Sequence, residues 1–301
     1  MGLNIAVLGG GAWGSTLAEL LLNSGHQVRL WRRRDGDEGL QALHSSELVV
    51  AAMALVGVTA VAERISHWTP RPVVSCSKGL DPASGATASG LWNRVCPNWP
   101  VLVLSGPNLA TELQRGQPAA SVLAGHDQEL LAALQHQLST DQLRLYRNND
   151  PRGAEVAGGL KNVMAIAAGV CDGLGLGANA RASLLTRALA EMALVIQQLG
   201  GRTETLYGLA GIGDLMATAT SPLSRNYRFG LGLAEGLTGA EALSRIGATV
   251  EGIPTCEALC SLAQQHGWQL PIASTVLALV QAQLDPATAL QQLMRRELRS
   301  E

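Results

Sequence analysis

The sequence predicts an α/β protein in two parts: an N-terminal doubly wound sheet over residues 1–150, then an all-helical domain over residues 151–301. Three observations carry this. Short apolar segments alternate with helical segments up to Pro151. Beyond Pro151-Arg152-Gly153 only helical periodicity continues. The first apolar segment runs directly into Gly9-x-Gly11-x-x-Gly14, a turn that suits a strand-to-helix crossing at a nucleotide site.

Strands are expected at Asn4–Leu8, Gln27–Trp31, Leu48–Met53, Pro72–Cys76, Val101–Leu104, Ala119–Leu123 and Gln142–Tyr146. Such alternation implies parallel strands in a Rossmann-like sheet. Gly14–Asn23 reads as the first helix, with Leu17, Leu20 and Leu21 at helical spacing and Gly25 closing it. In the second half, helices are expected at Ala154–Val170, Ser183–Leu199, Arg225–Ala234, Thr255–His266 and Thr275–Gln283. Between them, Gly208–Asp214 reads as a mobile loop.

The 301 residues suffice for two cores, and 47% apolar with 15% charged residues indicates a globular chain. A net charge of −2 supplies no broad basic field, so nucleic acid is not an expected partner. The five cysteines show no pairing pattern and no zinc spacing, so no metal site is expected and reduced thiols in a cytoplasmic protein are the better reading. The longest uncharged run, between Glu47 and Glu63, is shorter than the roughly 20 residues of a membrane span. The six histidines fall in no metal or triad motif; His26 is expected at the surface or as a cap.

The glycines at 9, 11 and 14 allow the tight turn and let backbone N–H groups approach a pyrophosphate, with the helix dipole adding to the attraction. The end of the second strand selects between cofactors. Where an NAD site carries a carboxylate for the ribose hydroxyls, this chain reads Leu30-Trp31-Arg32-Arg33-Arg34, with Asp35 the first acid. Guanidinium groups pair with a 2′-phosphate, so NADP(H) is favoured and NAD(H) is the alternative. A solvated basic loop is the plainer explanation of the same run.

The segment 154–170 is apolar nearly all round, which marks a buried helix and makes Lys161 and Asn162 its anomalies. Burial disfavours an ammonium and brings its pKa toward the range useful for proton transfer. A lysine that reaches the surface or pairs with Glu155 is the competing reading. Arg225 in the first turn of a helix opposes the dipole, which an anion bound there would resolve; ordinary capping by Ser224 beside a solvent-facing arginine is the alternative.

Together these blocks resemble the bacterial NAD(P)-dependent glycerol-3-phosphate dehydrogenase family over nearly the whole chain, in order. The matching residues are the Gly-x-Gly-x-Trp-Gly turn at 9–14, Ser77-Lys78-Gly79-Leu80, Leu104-Ser105-Gly106-Pro107-Asn108-Leu109-Ala110, Leu160-Lys161-Asn162-Val163, Gly208–Asp214, Ser224-Arg225-Asn226 and Val250-Glu251-Gly252. The resemblance implies hydride exchange between NAD(P)H and dihydroxyacetone phosphate, giving sn-glycerol 3-phosphate for phospholipid synthesis. It implies Lys161 as the proton acceptor in oxidation and donor in reduction. A small phosphorylated substrate would meet Lys78, Gly106, Asn108, Lys161, Asp214, Ser224, Arg225 and Asn226. The cofactor would meet Gly9, Gly11, Trp13, Gly14, Arg33, Arg34, Lys78, Ala110, Arg225 and Glu251. A homodimer through the helical domain follows by family analogy alone.

Three departures stand out. The connection from Arg34 to Glu47 is short for the family, and the third strand ends Ala51-Ala52-Met53-Ala54 where a Val-Pro-Ser-like turn is common. Asn108 also stands where Ser or Thr is commoner. Rival readings are a related hydroxyacid dehydrogenase, a ketopantoate-type reductase, and a non-catalytic NADP-binding sensor.

Overall fold

A computed structural model describes residues 2–294; the last seven residues of the expected helical domain lie outside the described residues. Strands β1 (Asn4–Leu8), β2 (Gln27–Trp31), β3 (Leu48–Ala51), β4 (Val73–Ser75), β5 (Val101–Ser105), β6 (Ala119–Ala124) and β7 (Leu143–Asn148) form one sheet in the order β2-β1-β3-β4-β5-β6-β7. All seven expected strands are present. β1 to β5 are mutually parallel, but β6 pairs antiparallel to β5, which corrects the fully parallel expectation. The connection from β5 to β6 carries only one short helix, Ala110–Gln114, and returns the chain in the opposite direction.

Helices α1 (Ala12–Asn23), α2 (Gly36–Gln41), α3 (Val58–Ile65), α4 (Ala88–Val95), α5 (Ala110–Gln114) and α6 (Gln128–Leu138) cover the sheet. Strand side chains alternate between its faces. Ile5 and Val7 pack with Leu17, Leu20, Leu131 and Leu134, whereas Ala6 and Leu8 pack with Leu40, Val58, Ile65 and Trp92. Only α2 and a preceding turn of 3-10 helix occupy the short connection after β2.

The second half is helical throughout: α7 (Pro151–Gly173), α8 (Gly177–Gln198), α9 (Thr203–Leu206), α10 (Asp214–Ala219), α11 (Arg225–Ala234), α12 (Gly239–Ile246), α13 (Gly252–His266), α14 (Pro271–Val280) and α15 (Pro286–Met294). α7 is the axis, buried over nearly all its length as its apolar surface demands. By length and composition it could cross a membrane, but it is wholly buried inside the protein and serves as the core helix. Asp150 caps it, accepting from Gly153 N at 2.9 Å, and ties it to α9 through Arg202 N at 2.8 Å and Thr205 Oγ1 at 2.6 Å. α11 lies against α7 at backbone contact. A Cβ on Gly230 would sit 2.1 Å from Ile166 O, and one on Gly169 would sit 2.1 Å from Tyr227 O.

The segment expected to be a mobile loop is instead a packed π-helical turn, Leu209–Gly213, that runs straight into α10. Ala210 and Gly211 are buried in it, and a Cβ on Gly211 would overlap Leu206 O at 2.1 Å. His26 is likewise buried rather than superficial: its Nδ1 accepts from Leu3 N at 3.0 Å and its Nε2 lies 2.8 Å from Gln137 O.

Candidate active site

Because β1, β3, β4 and β5 run parallel, the loops that follow them all emerge at one edge of the sheet. That edge is where a doubly wound sheet binds its ligands. Gly9 follows β1 with φ of 118°, a backbone that favours glycine, and a Cβ there would meet Ala52 O at 2.4 Å. Gly14 must also lack a side chain, since its Cβ would fall 1.9 Å from Gly9 O. Gly11 sits at the N-cap of α1 with open space around it, and no side-chain hydrogen bond caps that terminus. The first-turn N–H groups of α1 therefore suit a pyrophosphate.

Trp13 stands half-buried in the first turn of α1. Beyond β2, Arg33 and Arg34 are exposed in the 3-10 turn. Asp35 Oδ2 accepts from Arg32 N at 2.7 Å, and its Oδ1 lies 4.0 Å from Arg34 Nε. Arg32 folds back over Gly10, where a Cβ would meet its Cγ at 2.3 Å. The guanidinium groups thus stand at the position that contacts the adenosine ribose in such folds.

The catalytic candidates meet where the sheet edge touches α7. The pair Gly158-Gly159 makes this approach possible: a Cβ on Gly159 would lie 2.9 Å from the Gly79 backbone, and one on Gly158 2.6 Å from Ser105 Oγ. Half a turn later, Lys161 Nζ donates to Asp214 Oδ1 at 2.5 Å and to Thr218 Oγ1 at 2.6 Å. Lys78 Nζ, arriving from the sheet, donates to Asp214 Oδ2 at 2.6 Å and also reaches Gly106 O at 3.3 Å and Asn108 Oδ1 at 3.4 Å. One buried carboxylate therefore bridges two ammonium groups. Burial lowers the Lys161 pKa to about 8; Asp214 opposes the shift and the Lys78 charge adds to it. Neither surface exposure nor a Glu155 pair holds Lys161. Glu155 instead accepts from Ser89 N at 2.7 Å and Ser89 Oγ at 2.6 Å at the start of α4.

Lys78, Gly106, Asn108, Lys161 and Asp214 thus form one contiguous group. Asn108 Nδ2 is buried with no partner among the described residues, a donor that fits a substrate oxygen. Asn226 is buried beside this group: its Nδ2 donates to Asn162 Oδ1 at 2.9 Å and its Oδ1 accepts from Gly252 N at 2.9 Å. Ser224 caps α11, accepting from Tyr227 N at 3.2 Å, and Arg225 is exposed in the first turn. Glu251 is partly buried; desolvation raises its pKa, while Arg225, Lys78 and Lys161 act to lower it. Ala110 opens α5, at the end of the loop that carries Asn108.

Thr218 was not among the residues singled out from the sequence. It lies one turn after Asp214, donating to Oδ1 at 3.2 Å, on a helix that sequence periodicity did not reveal. The signal that could have found it is the i, i+4 spacing from an acid already suspected.

Comparison with known proteins agrees with this geometry. The family model for the NAD-dependent glycerol-3-phosphate dehydrogenase C-terminus matches residues 150–291, and the N-terminal model of the same family matches residues 4–41 and 37–131. The chain is 69% identical over 301 residues to a glycerol-3-phosphate dehydrogenase [NAD(P)+] of Synechococcus sp. (strain RCC307), covering 100% of each. It is 46% identical to the protein of that name in Trichormus variabilis, covering 99% of this chain and 98% of the other. A crystal structure of glycerol-3-phosphate dehydrogenase from Coxiella burnetii superposes with a TM-score of 0.91 at 34% identity, over 98% of this chain and 99% of that one. A D-mandelate dehydrogenase shares the fold at a TM-score of 0.62 and 15% identity, covering 93% of this chain and 98% of that one. With family models spanning both halves and a relative matched end to end, the chain belongs to the NAD-dependent glycerol-3-phosphate dehydrogenase family.

Proposed function

We propose that this chain is an NAD(P)-dependent sn-glycerol-3-phosphate dehydrogenase that interconverts dihydroxyacetone phosphate and glycerol 3-phosphate. The observation that carries the proposal is the Lys161–Asp214–Lys78 bridge at the sheet edge where the dinucleotide turn opens. The nicotinamide ring, when bound, supplies or accepts the hydride. Lys161 Nζ holds the proton delivered to the carbonyl oxygen in reduction and takes it from the C2 hydroxyl in oxidation; its pKa near 8 suits both directions. Lys78 stabilises negative charge developing on that oxygen, and Asn108 Nδ2 supplies a neutral donor beside it. Asp214 orients both ammonium groups, and Thr218 fixes the Lys161 rotamer.

Arg225 and the N-terminus of α11 supply the charge to hold the phosphate, with Asn226 positioned by Asn162 and Gly252. Gly9, Gly11, Trp13, Gly14, Ala110 and Glu251 would contact the cofactor when it binds. Arg33 and Arg34 favour NADP(H) over NAD(H). The division at residue 150, a cytoplasmic location, a homodimer and a role in phospholipid synthesis belong to the same proposal. The capping of α7 by Asp150 supports the first of these.

The test is NADPH oxidation by the purified protein with dihydroxyacetone phosphate, ketopantoate and tartronate semialdehyde compared side by side. Turnover is expected with the phosphate compound alone. Tight NADPH binding without that turnover would defeat the proposal in favour of a sensor.

A further inference from the structure

The connection that carries Arg33 and Arg34 has little apolar burial to hold it in place. Between Trp31 and Leu48 the only buried apolar side chains are Leu40 and Leu43, and α2 is six residues long. A helix that short has little stability of its own. Polar contacts do the fastening instead. The 3-10 turn Arg33–Asp35 closes across its base, where Trp31 Nε1 donates to Gly36 O at 2.9 Å and Arg32 N donates to Asp35 Oδ2 at 2.7 Å. Gly36, with φ of 64°, turns the chain into α2. A Cβ on Gly39 would lie 2.8 Å from Asp35 Cβ and 3.6 Å from Trp31 Cδ1, so α2 starts directly against the turn.

The outer anchor comes from α3. The Arg64 guanidinium lies over the Trp31 indole, 5.2 Å from a ring centroid. Its Nε donates to Asp37 Oδ1 at 2.6 Å, and its Nη2 reaches the same oxygen. Gln41, the last residue of α2, donates to Arg64 O at 3.4 Å and accepts from Trp68 Nε1 at 3.1 Å. Arg64 therefore joins the last residue of β2 to the first turn of α2, the two points between which Arg33 and Arg34 are held. Its own guanidinium is committed to an indole face and a carboxylate, whereas Arg33 and Arg34 are exposed.

We propose that Arg64 is a positioning residue that sets the preference for NADP(H) over NAD(H). It fixes the turn so that Arg33 and Arg34 meet a ribose 2′-phosphate together, without touching the phosphate itself. The inference rests on the proposed reading of those two arginines as the phosphate contacts. A free turn would have to be immobilised when NADPH binds, at a cost in affinity that a turn fixed in advance avoids. NADH has no 2′-phosphate to engage the turn and is indifferent to its order.

The experiment measures Kd for NADPH and for NADH by cofactor fluorescence on the full-length protein. The variants are Arg64→Ala, Asp37→Ala, the pair Arg33→Ala with Arg34→Ala, and that pair combined with Arg64→Ala. Arg64→Ala is expected to weaken NADPH by at least about threefold and to leave NADH unchanged, which also reports an intact fold. Added to the arginine pair it should have no further effect, since a residue acting only through two others is silent once they are gone. Asp37→Ala should weaken NADPH as well, although removal of an acid would by charge alone tighten it. Equal weakening of both cofactors, no weakening, or a full further loss in the combined variant overturns the inference and leaves the reading of Arg33 and Arg34 intact. Unchanged or tighter NADPH binding in Asp37→Ala does the same. NADPH affinity unchanged in the arginine pair overturns that reading and the inference with it.

Discussion

Lys161 is held as an ammonium by one carboxylate oxygen and one hydroxyl, in surroundings that disfavour its charge. The sign of its pH dependence follows. Oxidation needs the neutral amine, so kcat/KM for glycerol 3-phosphate should rise with pH through about 8; reduction needs the ammonium, so kcat/KM for dihydroxyacetone phosphate should fall through the same value. Asp214→Asn removes the charge that raises this pKa, so both limbs should shift to lower pH, read directly from the two rate profiles. At the turn after β2, Arg33→Ala combined with Arg34→Ala should raise KM for NADPH by about tenfold or more while leaving KM for NADH nearly unchanged. Equal effects on both cofactors would remove these arginines from 2′-phosphate recognition.

Individual elements are shaped as much by missing side chains as by those present. Gly230 and Gly169 let α11 and α7 meet at backbone distance, which brings Asn226 to Asn162. Gly230→Ala should destabilise the protein by roughly 1–3 kcal/mol, because neither backbone can retreat, with the urea midpoint as the measurement. The sequence made α7 legible: an all-apolar surface permits only burial, and Lys161 stands out against it. The packed turn before Asp214 was not legible. Gly208, Gly211 and Gly213 read as loop formers, yet Gly211 is there because Leu206 O leaves no room for a Cβ. Helices α10 and α12, of 6 and 8 residues, escaped notice because each repeats its buried positions too few times for periodicity to register.

Across the whole molecule, the site belongs to neither half alone. Lys78 and Asn108 come from the sheet, whereas Lys161, Asp214 and Thr218 come from the helices. The residue pattern nominated Lys161 and the family resemblance added Lys78 and Asp214, but neither showed that Asp214, 136 positions from Lys78, would bridge the two lysines. Their meeting depends on tertiary packing at Gly158-Gly159 and on the Glu155–Ser89 bonds that fasten α7 to α4. Glu155→Ala should leave Ser89 N without its acceptor and cost about 1–3 kcal/mol, visible as a lower midpoint in chemical denaturation. The most direct test of the account is kcat for dihydroxyacetone phosphate reduction in Lys161→Ala, measured beside its NADPH affinity. The account predicts a loss of at least about 10²-fold in kcat with cofactor affinity nearly intact. A variant that turns over at close to the parental rate would contradict it.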